Sequence, residues 1–201
     1  FAGRRQEMGR IRQWVQAARA STETRPTVVV LHGPPGSGRT TLAVRATHDL
    51  KDYFRGACVV DLRGGSPEEQ PLSTRDALLH LLNRLGAPRE QLLLRERSSP
   101  DQQVKRLSEL YQQHLTGLAV TIVLDDASDP DQIRTRGPER SDSLVLVTAR
   151  EPLALPSSLQ AHVHELAVQA LDAAGAEELL EAAAQDSSGP YDADSADRIR
   201  E

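Results

Sequence analysis

Cysteine is almost absent from this chain, and aromatic residues and lysine are scarce. A lone Cys58 allows neither an intramolecular disulfide nor a cysteine-based zinc site, and fits a reducing, cytoplasmic compartment. The six histidines fall at no metal-ligand spacing. His162 and His164 alternate along an expected strand with no carboxylate pattern beside them, which points to a structural role. There is no G-x-S-x-G elbow for a serine nucleophile. Aromatics make up only 3% of residues, so the core must be built from Leu, Val, Ile and Ala. No apolar run, Val28 to Leu31 being typical, approaches the ~18 residues of a membrane-spanning helix, and no signal peptide is visible. No membrane partner is expected.

What is present is enough for a globular core. The chain has 201 residues, 38% hydrophobic and 26% charged, and a chain of this size buries roughly 70% of its unfolded surface. The net charge of -5 is uneven: residues 1–55 carry +6 and residues 151–201 carry -9. A positive first quarter suits an anionic ligand or a solvated helix face. A sequence pI near 5.7 and no basic stripe argue against direct nucleic-acid binding. The chain opens at Phe1 and stops at Glu201 inside a helix-like pattern, as expected of a piece of a longer protein.

Hydrophobic period divides the chain. Met8, Ile11, Trp14, Val15 and Ala18 recur at helical spacing, predicting an amphipathic helix over 5–19. Residues 27–32 are a continuous β-branched run, suited to a strand buried on both faces of a parallel sheet. A helix over 40–50 and a strand over 57–62 follow, with Cys58 in the core. Ser73 with Asp76 suggests a helix start and Gly86 its end. Pro100-Asp101 opens another helix, whose inner face is Val104, Leu107, Leu110 and Tyr111. Strands are expected over 120–124, 144–148 and 163–166. Strands alternating with helices imply an α/β fold, a five-stranded parallel sheet wrapped by helices on both faces. Asp172 can cap a helix through Ala184 and a further helix begins at Ala193, giving a nucleotide-binding domain over 1–168 and the start of a small helical domain over 169–201.

The chemistry concentrates in three places. Gly33-Pro34-Pro35-Gly36-Ser37-Gly38-Arg39-Thr40-Thr41 lies between a strand and a helix and matches the phosphate-binding loop G-x-x-x-x-G-K-[ST] except at one position. Glycines let backbone N–H groups turn around phosphate oxygens, and the following helix aims its positive end at the same anion. Gly33, Pro35, Gly36, Ser37, Gly38, Arg39, Thr40 and Thr41 are thus candidates to bind nucleotide, with the Thr40 hydroxyl on Mg2+. The departure is Arg39 in place of lysine. A guanidinium is bulkier than an ammonium and bonds through a fork. Two readings stand: a degenerate loop with weak binding or hydrolysis, or a general drift towards arginine in a chain whose only lysines are Lys51 and Lys105.

Second, the apolar run Val120 to Leu124 ends in Asp125 and Asp126. Beside a phosphate loop, Asp125 would hold Mg2+ and Asp126 would orient or deprotonate the attacking water. A structural turn is the plain alternative. Third, Arg150 follows the strand Leu144 to Thr148, where it could reach a terminal phosphate or form a surface salt bridge.

These elements, with the opening Phe1-Ala2-Gly3-Arg4-x-x-Glu7, resemble the NB-ARC family of STAND-class P-loop NTPases, including its bacterial regulators. By that resemblance Arg4, with the backbone of Phe1 and Ala2, holds adenine. Leu124-Asp125-Asp126 is the Walker B segment, and Thr148-Ala149-Arg150 is a sensor whose arginine, Arg150, reads the γ-phosphate. The resemblance implies an ADP or ATP switch with Mg2+ that acts with other domains of a parent chain and forms a homo-oligomer in the ATP state. It also places a G-L-P-L segment just beyond Glu201. Rival expectations are an AAA+-like ATPase or small-molecule kinase, which the Asp-Asp pair and Arg150 argue against, and a non-binding pseudo-NTPase scaffold, which Arg39 keeps open.

Overall fold

The structure, a computed structural model, describes residues 4–65, 68, 70–92, 98–134, 141–157, 159 and 161–170. The helix expected over 172–184 and the helical start at Ala193 lie outside these residues. Along the chain run α1 (Arg5–Ala20), β1 (Thr27–His32), α2 (Arg39–Asp49), a 3-10 turn (Lys51–Tyr53), β2 (Ala57–Asp61) and α3 (Thr74–Arg84). Then come α4 (Arg89–Leu92), α5 (Pro100–Leu115), β3 (Thr121–Ala127), α6 (Asp131–Arg134), β4 (Leu144–Ala149) and β5 (His162–Ala167). The five strands form one parallel sheet in the order β2-β3-β4-β1-β5.

Local chemistry explains where the helices begin. Ser99 and Gln102 form a reciprocal capping box at the start of α5, with Pro100 in the first turn, where a missing N–H costs nothing. Ser73 accepts the Asp76 N–H at 3.1 Å to open α3. Gly86 follows the Leu85 cap that ends it.

The central strands are buried on both faces, so their residues alternate between two cores. Val28, Val30, Ile122, Leu124, Val145 and Val147 face α3 and α5, where Leu78, Leu81, Leu107 and Tyr111 are fully buried. Val29, Leu31, Val123, Leu144 and Leu146 face α1 and α2, meeting Met8, Ile11, Val15, Leu42 and Ala46. Each such aliphatic side chain contributes about 1.5–3 kcal/mol of burial, enough for the two cores to fix the register of the sheet. The inner stripe of α5 runs through Leu107, Tyr111 and Leu115. Val104 and Leu110 are only partly buried against it. On the α1 side the His164 ring stacks on Trp14, with centroids 4.4 Å apart, and Cys58 is buried in the other core.

Parallel strands put all their carboxyl ends on one edge. That edge collects the loop after β1, Gly64-Gly65 after β2, Asp125 and Asp126 near the end of β3, and Arg150 after β4.

Candidate phosphate site

The loop after β1 has the shape its glycines permit. Gly36 and Gly38 sit at φ +81° and +86°, left-handed conformations that cost glycine nothing. Gly38 immediately precedes α2, so the positive end of that 11-residue helix opens onto the loop. Gly33 is required for a different reason. A Cβ there would lie 2.1 Å from the Val168 carbonyl oxygen, because the chain leaving β5 presses against the loop.

Two polar groups in this loop lack a partner among the described residues. The Ser37 Oγ and the Arg39 Nη1 are buried with no hydrogen bond, and Ser37 as a residue is 4% exposed. An unmet buried donor costs about 1–3 kcal/mol, more when charged. An oxyanion in the loop would repay both. Arg39 therefore brings a half-buried positive charge to the start of α2, as a lysine would, although with fork geometry.

The carboxylate pair is divided by the backbone. Asp125 accepts two hydroxyl hydrogen bonds at Oδ1, from Thr40 at 2.8 Å and from Thr148 at 2.6 Å. Thr40 and Asp125 thus stand together as hard oxygen donors, a set that suits Mg2+, which takes few protein ligands and completes its shell with water and phosphate. Asp126 sits at φ +59°, where the register of β3 against β4 shifts between Leu124 and Ala127. The strand expected to end at Leu124 instead runs on through this bulge. The bulge sends successive side chains to different surroundings.

Asp126 is held from three sides. Its N–H donates to the Thr148 Oγ1 at 2.8 Å, its carbonyl accepts from the Gly64 N–H at 2.8 Å, and its Oδ2 accepts from the Gly65 N–H at 2.9 Å. A left-handed non-glycine residue persists only where its surroundings determine it, and these bonds do so. Arg150 joins the same cluster: its Nη2 donates to the Gly65 carbonyl at 2.7 Å. A Cβ on Gly65 would come within 2.4 Å of the Arg150 Nε, so this glycine seats the guanidinium. β4 lies between β3 and β1, and Arg150 leans across β3 towards the β2 loop, not towards the loop after β1. Beyond it a cleft of about 350 Å3 opens between Gly64-Gly65, Asp126, Ser128, Arg150 and Leu153.

Thr148 opens the sensor segment, but its part in the site is larger than that resemblance implies. It is 2% exposed, and its hydroxyl donates to Asp125 while accepting from Asp126, joining the two carboxylate residues. Its signals in the sequence are its place in the Thr148-Ala149-Arg150 segment and a hydroxyl among apolar residues at the end of β4. Asp61, opposite Asp125 in the sheet, has its carboxyl raised above the ordinary range, first by burial and then by the charges of Asp125 and Asp126.

Arg4 sits beside the loop, 6% exposed. Its Nη2 donates to the Ser37 carbonyl at 2.5 Å and the Gln169 carbonyl at 2.7 Å, and its Nη1 pairs with Glu7 at 3.4 Å. Phe1 and Ala2 lie outside the described residues, while Pro35 and Thr41 are exposed on the loop and in the first turn of α2.

Residues 1–200 match the AAA ATPase domain family. The chain belongs to that family. As an AAA ATPase domain it is similar to the regulatory protein AfsR of Streptomyces coelicolor, 34% identical over 124 residues, and to AfsR of Streptomyces griseus, 32% identical over 125. Each match covers 61% of this chain and 12% of the relative, so the domain corresponds to a small part of those regulators. The fold is shared with the Aeropyrum pernix ORC1 protein solved in complex with DNA, at TM-score 0.56 and 17% identity over 92% of this chain and 50% of that one. It is shared too with the ADP form of the Aeropyrum pernix ORC2 protein, at TM-score 0.54 and 16% identity over 96% of this chain and 54% of that one. The family is thus of the AAA type, the rival expectation to the NB-ARC resemblance. Among the described residues, no helix is long and apolar enough to cross a membrane.

Proposed function

We propose that this AAA domain is the adenine-nucleotide switch of a larger regulatory protein, binding ADP or ATP with Mg2+ and hydrolysing slowly, in the manner of NB-ARC modules of the STAND class. The observation that carries the reading is the pair of buried, unpartnered groups, Ser37 Oγ and Arg39 Nη1, within a glycine loop at the start of α2. Phosphate oxygens satisfy them. In this reading Thr40 and Asp125 hold the metal, which when bound neutralises charge on the phosphates. Asp126 orients water through the carboxylate oxygen not bonded to Gly65. Arg150 responds to the γ-phosphate by leaving the Gly65 carbonyl, and a ligand that binds the two arrangements differently shifts their balance by that difference alone. Similarity to regulators of which the match covers 12% supports a role within a parent chain; oligomerisation in the ATP state completes the proposal.

Calorimetric titration with ADP and with ATP, each with Mg2+, tests the reading, together with mass spectrometry for nucleotide retained through purification. Micromolar binding or retained ADP supports it. Absence of binding at millimolar nucleotide, restored by Arg39→Lys, identifies a pseudo-NTPase scaffold instead. A second reading, an active AAA-type ATPase, is favoured by the family itself. Steady turnover at about 1 per second or faster selects it over the slow switch.

A further inference from the structure

We infer that Arg4 is a positioning residue of the phosphate loop; the inference rests on the nucleotide reading of that loop. The argument begins with donor capacity. A guanidinium terminal nitrogen carries two N–H bonds, and both on Nη2 are taken, by the Ser37 and Gln169 carbonyl oxygens. Nη1 faces Glu7, in the first turn of α1 that Arg4 precedes. The side chain is 7% exposed, so these bonds form away from competing water.

The Ser37 carbonyl matters because of what is attached to it. In a trans peptide the C=O and the next N–H point in opposite directions. Fixing the Ser37 oxygen on Arg4 therefore turns the Gly38 N–H away from Arg4. Gly38 holds φ +86°, which the chain adopts only if that peptide plane is set. Nη2 also lies 3.7 Å from where a Gly38 Cβ would stand, so the guanidinium packs against the turn itself. Its second carbonyl, on Gln169, belongs to the segment leaving β5, whose Val168 carbonyl closes on Gly33. The side chain thus ties the Ser37 end of the loop to the exit of β5, whose backbone packs against the Gly33 end. Charge-assisted bonds to two carbonyls are strong enough to set a loop of this size.

The test uses a ligand without a base. Tripolyphosphate and ATP are titrated, each with Mg2+, against the wild-type chain, Arg4→Ala and Arg4→Lys, and amide hydrogen exchange is followed over residues 33–41 without nucleotide. The expected result is that Arg4→Ala weakens both ligands by one common factor, on the order of tenfold, and selectively raises exchange in 33–41. Arg4→Lys recovers part of both effects, since one ammonium serves the two carbonyls less well. Weakened ATP with unchanged tripolyphosphate would assign Arg4 to the base and overturn the inference. Unchanged affinity for both would overturn it too. If the wild-type chain binds neither ligand, the nucleotide reading falls, and exchange alone decides: protection lost only in 33–41 upholds the loop-setting role, and unchanged exchange refutes it. Where Arg4→Ala does not fold by circular dichroism, Arg4→Lys is compared on the same two readouts.

Discussion

Two neighbouring carboxylates, Asp125 and Asp126, divide the carboxyl edge of the sheet into an open half and a closed one. Around Asp125 lie Thr40, Thr148 and the glycine loop, where Ser37 Oγ and Arg39 Nη1 have no partner among the described residues. Around Asp126 lie Gly64, Gly65 and Arg150, and there N–H groups, carbonyls and the guanidinium meet one another. Buried polar groups are normally satisfied, so the half that leaves them unmet is the half shaped for a ligand.

The sharpest way to break this comparison is to add one methyl group to each half. In Gly33→Ala the Cβ meets the Val168 carbonyl at 2.1 Å, and backbone cannot swing aside. The expected loss is about 3 kcal/mol of stability, read by chemical denaturation. In Gly65→Ala the nearest atoms are those of the Arg150 guanidinium, an exposed and flexible group, so its cost should stay below about 1 kcal/mol. Equal losses would mean that the two loops are equally rigid and that Arg150 is not simply seated on Gly65.

The next effect separates the carboxylates. Asp125→Asn should lower Mg2+-dependent nucleotide affinity by about a hundredfold, roughly 2.7 kcal/mol, because the charge beside Thr40 is lost. Asp126→Asn should change that affinity by less than about threefold, since its carboxylate faces Gly65. Comparable losses in calorimetric titrations with and without Mg2+ would show that both carboxylates serve one metal.

Much of this site is legible in the sequence, and the rest fails for one physical reason. The glycine loop, the Asp pair and Arg150 are local patterns, and the two-sided burial of β1, β3 and β4 shows in their unbroken apolar runs. The direction of Asp126 is not local. It depends on φ +59° at a bulge whose bonds come from Thr148, 22 residues away, and from Gly64 and Gly65, about 60 residues back. Likewise Gly64-Gly65 reads as a loop, and only the sheet order brings Arg150 onto it. Arg4 stands out in the opening motif, yet its carbonyl partners at 37 and 169 are set by the fold. In α5 the buried stripe is Leu107, Tyr111 and Leu115 at i+4 spacing, while Leu110, about 100° around the helix from Tyr111, packs only partly against it.

Thr148 lets the comparison be tuned at its hinge. Thr148→Val keeps the volume but leaves the Asp126 N–H without its acceptor and Asp125 without one of its two donors. A loss of about 1–2 kcal/mol is expected, with Mg2+-dependent affinity falling further than Asp126→Asn makes it fall. Stability lost with no change in affinity would restrict Thr148 to the bulge.

The smallest effect concerns Asp61, across the ladder from Asp125. Burial first, and then the charges of Asp125 and Asp126, raise its pKa in the folded chain. A raised carboxyl favours the fold while protonated, and this contribution is fully present below the unfolded value of about 3.9 and lost as pH rises through the folded one. Asp61→Asn keeps the acceptor that binds the Arg63 N–H at 2.9 Å and removes the charge. The variant should match the wild type in stability at low pH and become the more stable of the two as pH climbs past the folded pKa, a divergence that denaturation series at several pH values would trace. Saturating Mg2+ should shrink that divergence, because a cation at Thr40 and Asp125 offsets the charge that Asp61 opposes. A divergence indifferent to Mg2+ would place the cation away from Asp125, and with it the boundary drawn between the open half and the closed one.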